Sequence, residues 1–94
     1  MTTRRVDSNH SEIVAALRKA GAVVIDIHTV PGALDLIVAH RGELHIMEVK
    51  RGVINPRLHL TPKESKTIDA LAHVGVQAIL VTSAEQALKR IGAM

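Results

Sequence analysis

The stretch that decides the fold is GALDLIVAHRGELHIMEVK, residues 32–50, which is typical of two apolar strands joined by a turn at Arg41-Gly42. Asp35, Glu48 and Lys50 interrupt segments whose other residues favour burial. Because strand side chains alternate between the two faces of a sheet, Glu48 and Lys50 lie on the same face. Charges at one end of an otherwise apolar face are more often a functional site than a surface feature.

The turn length sets which residues of the two strands face each other. A two-residue turn at Arg41-Gly42 pairs His40 with Glu43, and continuing that register places Asp35 directly opposite Glu48. A four-residue loop keeps this register, whereas a three-residue loop shifts it by one residue. In the first two cases the Cβ atoms of the two acids are about 5 Å apart, so their carboxylates repel.

A hard divalent cation offsets such repulsion, since Mg²⁺ is typically held by one or two carboxylates and by oxygens of a phosphate. Lys50 lies near that position and could orient a water molecule or balance charge on phosphorus. The alternative interpretation places Asp35 in a turn after Pro31-Gly32, with Glu48 and Lys50 on the solvent face of an edge strand. Against it, the residues predicted on the same face are apolar: Ile37, Ala39, Leu44 and Ile46.

The composition limits the possible functions. The 94 residues suit a single domain, and the absence of Phe, Trp and Tyr excludes aromatic platforms for stacking bases and favours self-association as a supplement to a small core. A net charge of +3 favours polyanionic partners, and the absence of Cys excludes disulfides and thiolate metal sites. The first ten residues lack the apolar run of a signal peptide, so we expect a cytoplasmic protein without a membrane span.

The pattern along the chain predicts the element order α-β-β-β-α-β-α, in one domain that spans residues 1–94 with a tail at 1–7. Asn9 is predicted to cap the first helix, with Glu12 closing a capping box. The segment Thr61-Pro62-Lys63-Glu64 opens the second helix, and Ser83 caps the third. We predict an α/β fold with a mixed central sheet flanked by helices. Its strands are expected at residues 22–28, 34–39, 44–50 and 76–81, with an exposed loop at 51–60.

A Pro-Gly-x-x-Asp segment on one strand and Glu-x-Lys on the next, within this element order, resembles the PD-(D/E)XK nuclease superfamily. The likeness is greatest to its virus-type replication and repair nuclease branch, VRR-NUC, and covers residues 9–88. It implies a restriction-endonuclease-like αβββαβ core with a short C-terminal helix. It also implies Mg²⁺- or Mn²⁺-dependent hydrolysis of phosphodiester bonds.

The resemblance assigns roles to particular residues. Asp35 and Glu48 correspond to metal ligands, the Val49 carbonyl to a further ligand, and Lys50 to the residue that positions the attacking water. Glu12 matches an acidic residue on the first helix of many relatives, although its role in a capping box explains it equally well. Relatives often show Leu-Thr-Pro-x-Gln where this chain has LTPKE, residues 60–64. Because Glu64 is predicted to close a cap, we place it outside the site.

Other side chains suggest weaker hypotheses. Four basic residues follow the Glu-x-Lys strand and could contact phosphates, although a solvated surface is an equal alternative for each: Arg51, Arg57, Lys63 and Lys66. Six histidines suggest zinc, but none has a metal-binding helical spacing, so we expect them at the solvent face or at strand ends. His10 and His28 are the two nearest the predicted metal.

The sequence therefore predicts a nuclease that cleaves DNA by structure rather than by base sequence, in replication, repair or recombination. We expect a homo-oligomer, with a dimer favoured, and a partner protein for activity is a further possibility. The alternatives are a nucleic-acid-binding or regulatory protein that keeps the nuclease fold without cutting, and a small structural assembly subunit. The sequence does not distinguish DNA from RNA or a branched from a linear substrate.

Overall fold

The apolar segments around the Arg41-Gly42 turn form the centre of a four-stranded sheet. The computed structural model describes residues 9–30, 34–51 and 59–94. Within them the elements are, in chain order, His10–Lys19 (α1), Val23–Asp26 (β1), Leu36–His40 (β2), Glu43–Val49 (β3), Pro62–His73 (α2), Ile79–Val81 (β4) and Ala84–Arg90 (α3). The predicted element order and the α/β class are confirmed.

The strands lie in the order β1-β2-β3-β4, and the sheet is mixed. The first three strands form an antiparallel meander, while β4 pairs parallel to β3. A parallel neighbour requires a crossover connection, and α2 lies within the segment that supplies it. The ends of β1, β3 and β4 therefore meet the start of β2 at one edge of the sheet.

The β2–β3 turn has the two-residue form. His40 pairs with Glu43, so the predicted register is confirmed and the three-residue alternative is wrong. Arg41 and Gly42 both adopt positive φ, at 49° and 80°. Positive φ at both central positions matches the right-handed twist of the flanking strands, which explains why a hairpin forms here with a fixed register.

Strand alternation divides the core into two layers. Buried side chains of β2 and β3, among them Leu36 and Met47, pack with Ile13 and Leu17 of α1 and with α3. On the opposite face Ile68 of α2 packs with residues that include Ile46 of β3. Because Ile46 and Glu48 have the same parity within one strand, Glu48 lies on the α2 face of the sheet.

The predicted capping box at the start of α1 is wrong. Asn9 has helical backbone angles, and its side chain makes no capping hydrogen bond. Instead its amide donates to the carbonyl oxygens of Lys50, at 3.0 Å, and Thr82, at 2.7 Å. The Asn9 side-chain amide, which the local sequence predicts as a helix cap, thus donates instead to two carbonyls at the ends of neighbouring strands. The predicted box at Thr61 and Glu64 is confirmed.

Several predicted segments fall partly or wholly outside the described residues: the tail at 1–7, the turn at Pro31-Gly32 and most of the loop at 51–60. The two outer strands are shorter than predicted, since β1 and β4 have four and three residues. No helix in the described part of the chain is long and apolar enough to span a bilayer.

Candidate active site

The ends of β2 and β3 bring the two predicted acids together. Continuing the β2–β3 register by one residue places Asp35 opposite Glu48, as the sequence predicts. Asp35 is fixed by its own side chain, because Oδ2 accepts a hydrogen bond of 2.8 Å from the backbone N–H of Val49. The acids interact electrostatically, and the charge of Asp35 raises the pKa of Glu48.

Lys50 lies between two acids that come from different elements. Its Nζ is 3.2 Å from Oε2 of Glu48 and 3.0 Å from Oε1 of Glu64. The same Oε1 of Glu64 accepts a hydrogen bond of 2.9 Å from the backbone N–H of Thr61. Glu64 therefore caps α2 and contacts the site at once, and its assignment to the cap alone is wrong.

We call Asp35, Glu48, Lys50 and Glu64 the carboxylate cluster. Glu48 is only 2% exposed, and its Oε1 has no hydrogen-bond donor among the described residues. The cluster contains three carboxyl groups and one ammonium group. If all of them were ionised, negative charge would exceed positive charge by two in a region with little solvent.

The pKa shifts show how the cluster accommodates this excess. Burial raises the pKa of Glu48, and a hydrogen bond with Glu64 together with the charges of Asp35 and Glu64 brings it to about 9. Burial likewise raises the pKa of Asp35. Burial alone would also raise the pKa of Glu64, but hydrogen bonds from Glu48, the Thr61 backbone and Lys50 lower it. The raised pKa of Glu48 and the lowered pKa of Glu64 favour a proton on Glu48 rather than on Glu64 at neutral pH.

Lys50 remains a cation in this environment. Burial alone would lower the pKa of Lys50, but the hydrogen bond to Glu64 and the charges of both glutamates raise it above its ordinary value. An ammonium group held between the Glu64 carboxylate and the Glu48 carboxyl group is a donor with a defined direction. It can orient a water molecule or contact a phosphate oxygen at this edge of the sheet.

The donor set fits a hard divalent cation. Carboxylate oxygens are the ligands that Mg²⁺ and Mn²⁺ prefer, and Asp35 and Glu48 offer them from neighbouring strands. The buried Oε1 of Glu48 lacks a donor within the described residues, and burial together with the charges of Asp35 and Glu64 disfavours an uncompensated negative charge on Glu48. A divalent cation would take the place of the proton that Glu48 otherwise holds.

The remaining predicted site residues lie around the cluster or outside the described chain. Glu12 is exposed on α1, and within the described residues it forms no hydrogen bond or ion pair with the cluster. On α1 it is His10 whose charge acts on Asp35: burial raises the pKa of Asp35, and the charge of His10 lowers it. Arg51, Lys63 and Lys66 are exposed. Arg57 lies outside the described residues.

Two histidines form a second group of side chains, outside the carboxylate cluster. His10 and His28 both contact Asp26, and we call these three residues the histidine cluster. The expectation of solvent-facing or strand-end histidines is wrong for His10, which is buried in α1 and 5% exposed. Spacing along the chain gives no signal for this group, because His10 comes from α1 while the other two residues end or follow β1.

Comparisons of the chain with protein-family models, with curated proteins and with solved structures found no match. The likeness to PD-(D/E)XK nucleases therefore stays a prediction that depends on the motif residues. One signal in the sequence could have placed Glu64 in the site, namely its position where relatives of the predicted branch carry Gln. The local capping signal of Thr61 and Glu64 obscured that second role.

Proposed function

We propose that this protein is a metal-dependent nuclease that hydrolyses phosphodiester bonds in DNA. The observation that carries the proposal is the β2–β3 register, which brings Asp35 opposite Glu48 when it is continued by one residue, with Lys50 Nζ 3.2 Å from Glu48. Two carboxylates and one fixed cation are the minimal set for holding Mg²⁺ and contacting a phosphate. The proposal places the protein with the PD-(D/E)XK nucleases of the virus-type replication and repair branch.

Each residue of the cluster has a distinct role in this proposal. Asp35 and Glu48, with the Val49 carbonyl, would hold Mg²⁺ or Mn²⁺, which lowers the pKa of a bound water and stabilises charge on the phosphate. Lys50 donates a hydrogen bond to the attacking water or to a phosphate oxygen, which makes it the catalytic side chain. Glu64 and Glu48 hold its ammonium group in position.

Basic residues near the cluster would bind the substrate backbone. Lys63 and Lys66 lie on α2, the helix that supplies Glu64, and Arg51 follows directly after Lys50. Phosphate contacts from such residues position a duplex but do not read its sequence. Apart from its histidines the chain has no aromatic side chain that could stack on an unpaired base, so recognition through backbone phosphates, and hence through the shape of the DNA, fits better than recognition of unpaired bases. Arg57 stays a predicted contact.

A dimer is part of the same proposal. Val23 and Leu44 both pair with Ala39 in one row across β1, β2 and β3, and they are 64% and 68% exposed. Ile25, on the same face, is 53% exposed. A second copy would cover these apolar side chains and supply symmetric engagement of a branched or duplex substrate. Sedimentation at several concentrations tests this, with Ile25→Glu expected to favour the monomer.

The decisive experiment measures cleavage of supercoiled plasmid and of branched DNA. We expect cleavage with Mg²⁺ or Mn²⁺, none with a chelator, and a loss of at least about 100-fold in Lys50→Ala. The matched control is Lys89→Ala, since Lys89 is an exposed lysine of α3 that pairs with Glu85 across one helical turn. Cleavage by Lys50→Ala at the unaltered rate would contradict the proposal.

The same preparations distinguish cutting from binding. DNA affinity measured in parallel by fluorescence anisotropy should change little in Lys50→Ala, because the basic residues outside the cluster remain. If the unaltered protein binds DNA with Mg²⁺ present but never cuts it, the regulatory alternative replaces the nuclease. Labelled RNA of the same sequence, offered under the same conditions, determines which nucleic acid is the substrate.

A further inference from the structure

The histidine cluster is a second group of metal-binding side chains, built from the start of α1 and the end of β1. Nε2 of His10 lies 2.8 Å from Oδ2 of Asp26, and Nδ1 of His28 lies 2.5 Å from Oδ1. The Asp26 carboxylate therefore stands between two imidazoles and contacts one nitrogen with each oxygen. The carboxylate cluster contains no imidazole, so the two groups differ in their chemistry.

The separations within the cluster suit one bound ion. One ligand atom from each of the three residues can be chosen so that all lie within 4.8 Å of one another. Imidazoles that share a tetrahedral ion, with metal–nitrogen distances of about 2.0 Å, have ring centres roughly 5 Å apart. The ring centres of His10 and His28 are 5.0 Å apart.

Two imidazole nitrogens and one carboxylate oxygen select a borderline metal rather than a hard one. Zn²⁺ prefers this mixture and often takes three protein ligands with water as the fourth, whereas Mg²⁺ prefers oxygen alone. We propose that His10, Asp26 and His28 form a zinc site that is separate from the carboxylate cluster. A bound zinc ion would tie the start of α1 to the end of β1.

His10 Nε2 and His28 Nδ1 contact the Asp26 carboxylate, so a metal ion would replace any proton that these nitrogens donate to it. A surface cavity of about 310 Å³ adjoins the cluster, and its lining includes His10 and Asp26 together with Arg18. An ion can therefore reach the two ligands from solvent, and water can occupy a remaining position.

The two clusters lie on opposite faces of the sheet at the same edge. α1, which carries His10, packs on the face that holds Val24, and strand alternation puts Asp26 on that face too. Glu48 lies on the α2 face. The two sites share no residue, although the charge of His10 acts on Asp35, so each site can be tested without the other.

The experiment titrates Zn²⁺ into the metal-free full chain with excess Mg²⁺ present, using calorimetry for stoichiometry and NMR of the imidazole groups for location. We expect one zinc per chain, with the His10 and His28 signals shifted while those of exposed His59 and His73 stay in place. His28→Gln should weaken binding at least about 100-fold, whereas His73→Gln and Asp35→Asn should not. His28 suits this test because its side chain is 26% exposed, and circular dichroism checks the fold.

Four results would overturn the zinc site. Binding weaker than millimolar would show that the cluster is a hydrogen-bonded network only. Binding unchanged in His28→Gln, or lost in Asp35→Asn, would place the ion elsewhere. If His28→Gln does not fold, Asp26→Asn and the NMR spectra of the unaltered protein decide the matter, since imidazole signals that do not respond to Zn²⁺ would equally contradict the site.

Discussion

Two acidic side chains at the same edge of the sheet show opposite behaviour. Burial alone would raise the pKa of both Asp26 and Glu48. Hydrogen bonds from two histidines instead lower the pKa of Asp26 to about 2, whereas Glu64 and Asp35 add to burial and raise the pKa of Glu48 to about 9. At Glu48 burial is the largest cause of the raised pKa and the neighbours add to it, whereas at Asp26 the neighbours outweigh burial.

The difference is the reason that we propose different metals for the two clusters. The carboxylate cluster has more carboxyl groups than cations, and only Lys50 supplies positive charge by direct contact within the described residues. A hard divalent cation would supply further positive charge there. In the histidine cluster the single carboxylate already has two nitrogen partners, and a metal there gains by coordination to nitrogen rather than by neutralising repulsion.

The largest expected effect is the pH dependence of stability without metal. The folded pKa of Glu48 is raised from an ordinary 4.5 to about 9, so its contribution is fully present below about pH 4.5 and is lost as pH rises through about 9. We expect the free energy of unfolding in chelator to fall by a few kcal/mol across that window. Urea unfolding at pH 6, 7 and 8 measures the slope.

Glu48→Gln tests the cause of that slope. The amide carries no charge at any pH, so the variant should show a much flatter profile and greater stability than the unaltered protein at pH 8.

Asp26→Asn is the matched comparison with the opposite sign, because the lowered pKa of Asp26 gives stability that is present above pH 4 and is lost as pH falls through about 2. Its side chain is 30% exposed, so after solvent screening its loss should cost about 1 kcal/mol. A flat profile for the unaltered protein between pH 6 and 8 would contradict the raised pKa of Glu48.

The next effect concerns Asn9, whose amide holds the carbonyls of Lys50 and Thr82 together. Ser is as good a helix cap as Asn, so a capping role predicts that Asn9→Ser changes little. The observed contacts predict a loss of about 2 kcal/mol, because two carbonyls lose a donor. Thermal unfolding in chelator measures it.

Asn9→Asp is the second variant for this point, since it also caps well but has no N–H to donate. Both variants should lower the stability, and both should reduce cleavage because the Lys50 carbonyl loses its anchor. If the stability of Asn9→Ser lies within about 0.5 kcal/mol of the unaltered protein, Asn9 acts as a helix cap and the two carbonyl contacts contribute little.

A third effect separates the two glutamates that contact Lys50. Glu64→Gln removes a charge that raises the pKa of Glu48 but keeps an acceptor for Lys50. Glu48 should then lose its proton at lower pH, so the acidic limb of the cleavage rate at fixed Mg²⁺ should shift down by about one pH unit. Glu85→Gln on α3 is the control and should leave the acidic limb of the rate profile unchanged. If Glu64 only caps the helix, Glu64→Gln should also leave that limb unchanged.

The sequence predicted the carboxylate pair because its geometry is local to one hairpin. Alternation and the Arg41-Gly42 turn suffice to place Asp35 opposite Glu48, and the structure confirms that register. Glu64 and His10 could not be assigned in this way, since their contacts depend on how α2 and α1 pack on opposite faces of the sheet. The prediction for Asn9 was wrong for a related reason, because its amide donates to carbonyls that are distant in sequence instead of capping the helix.

The smallest effect compares two helix caps of similar geometry. Thr61 accepts from the Glu64 N–H and Ser83 from the Gln86 N–H, both at 3.1 Å, so Thr61→Ala and Ser83→Ala should each cost about 1 kcal/mol in urea unfolding. Only Thr61 starts the helix that presents Glu64 to Lys50, so only Thr61→Ala should also lower the cleavage rate, by a few-fold. Equal rates in both variants would mean that Lys50 is positioned by Glu48 alone and that Glu64 acts through its charge. A loss of rate in Ser83→Ala would instead indicate that the site responds to stability in general, because α3 packs on the opposite face of the sheet.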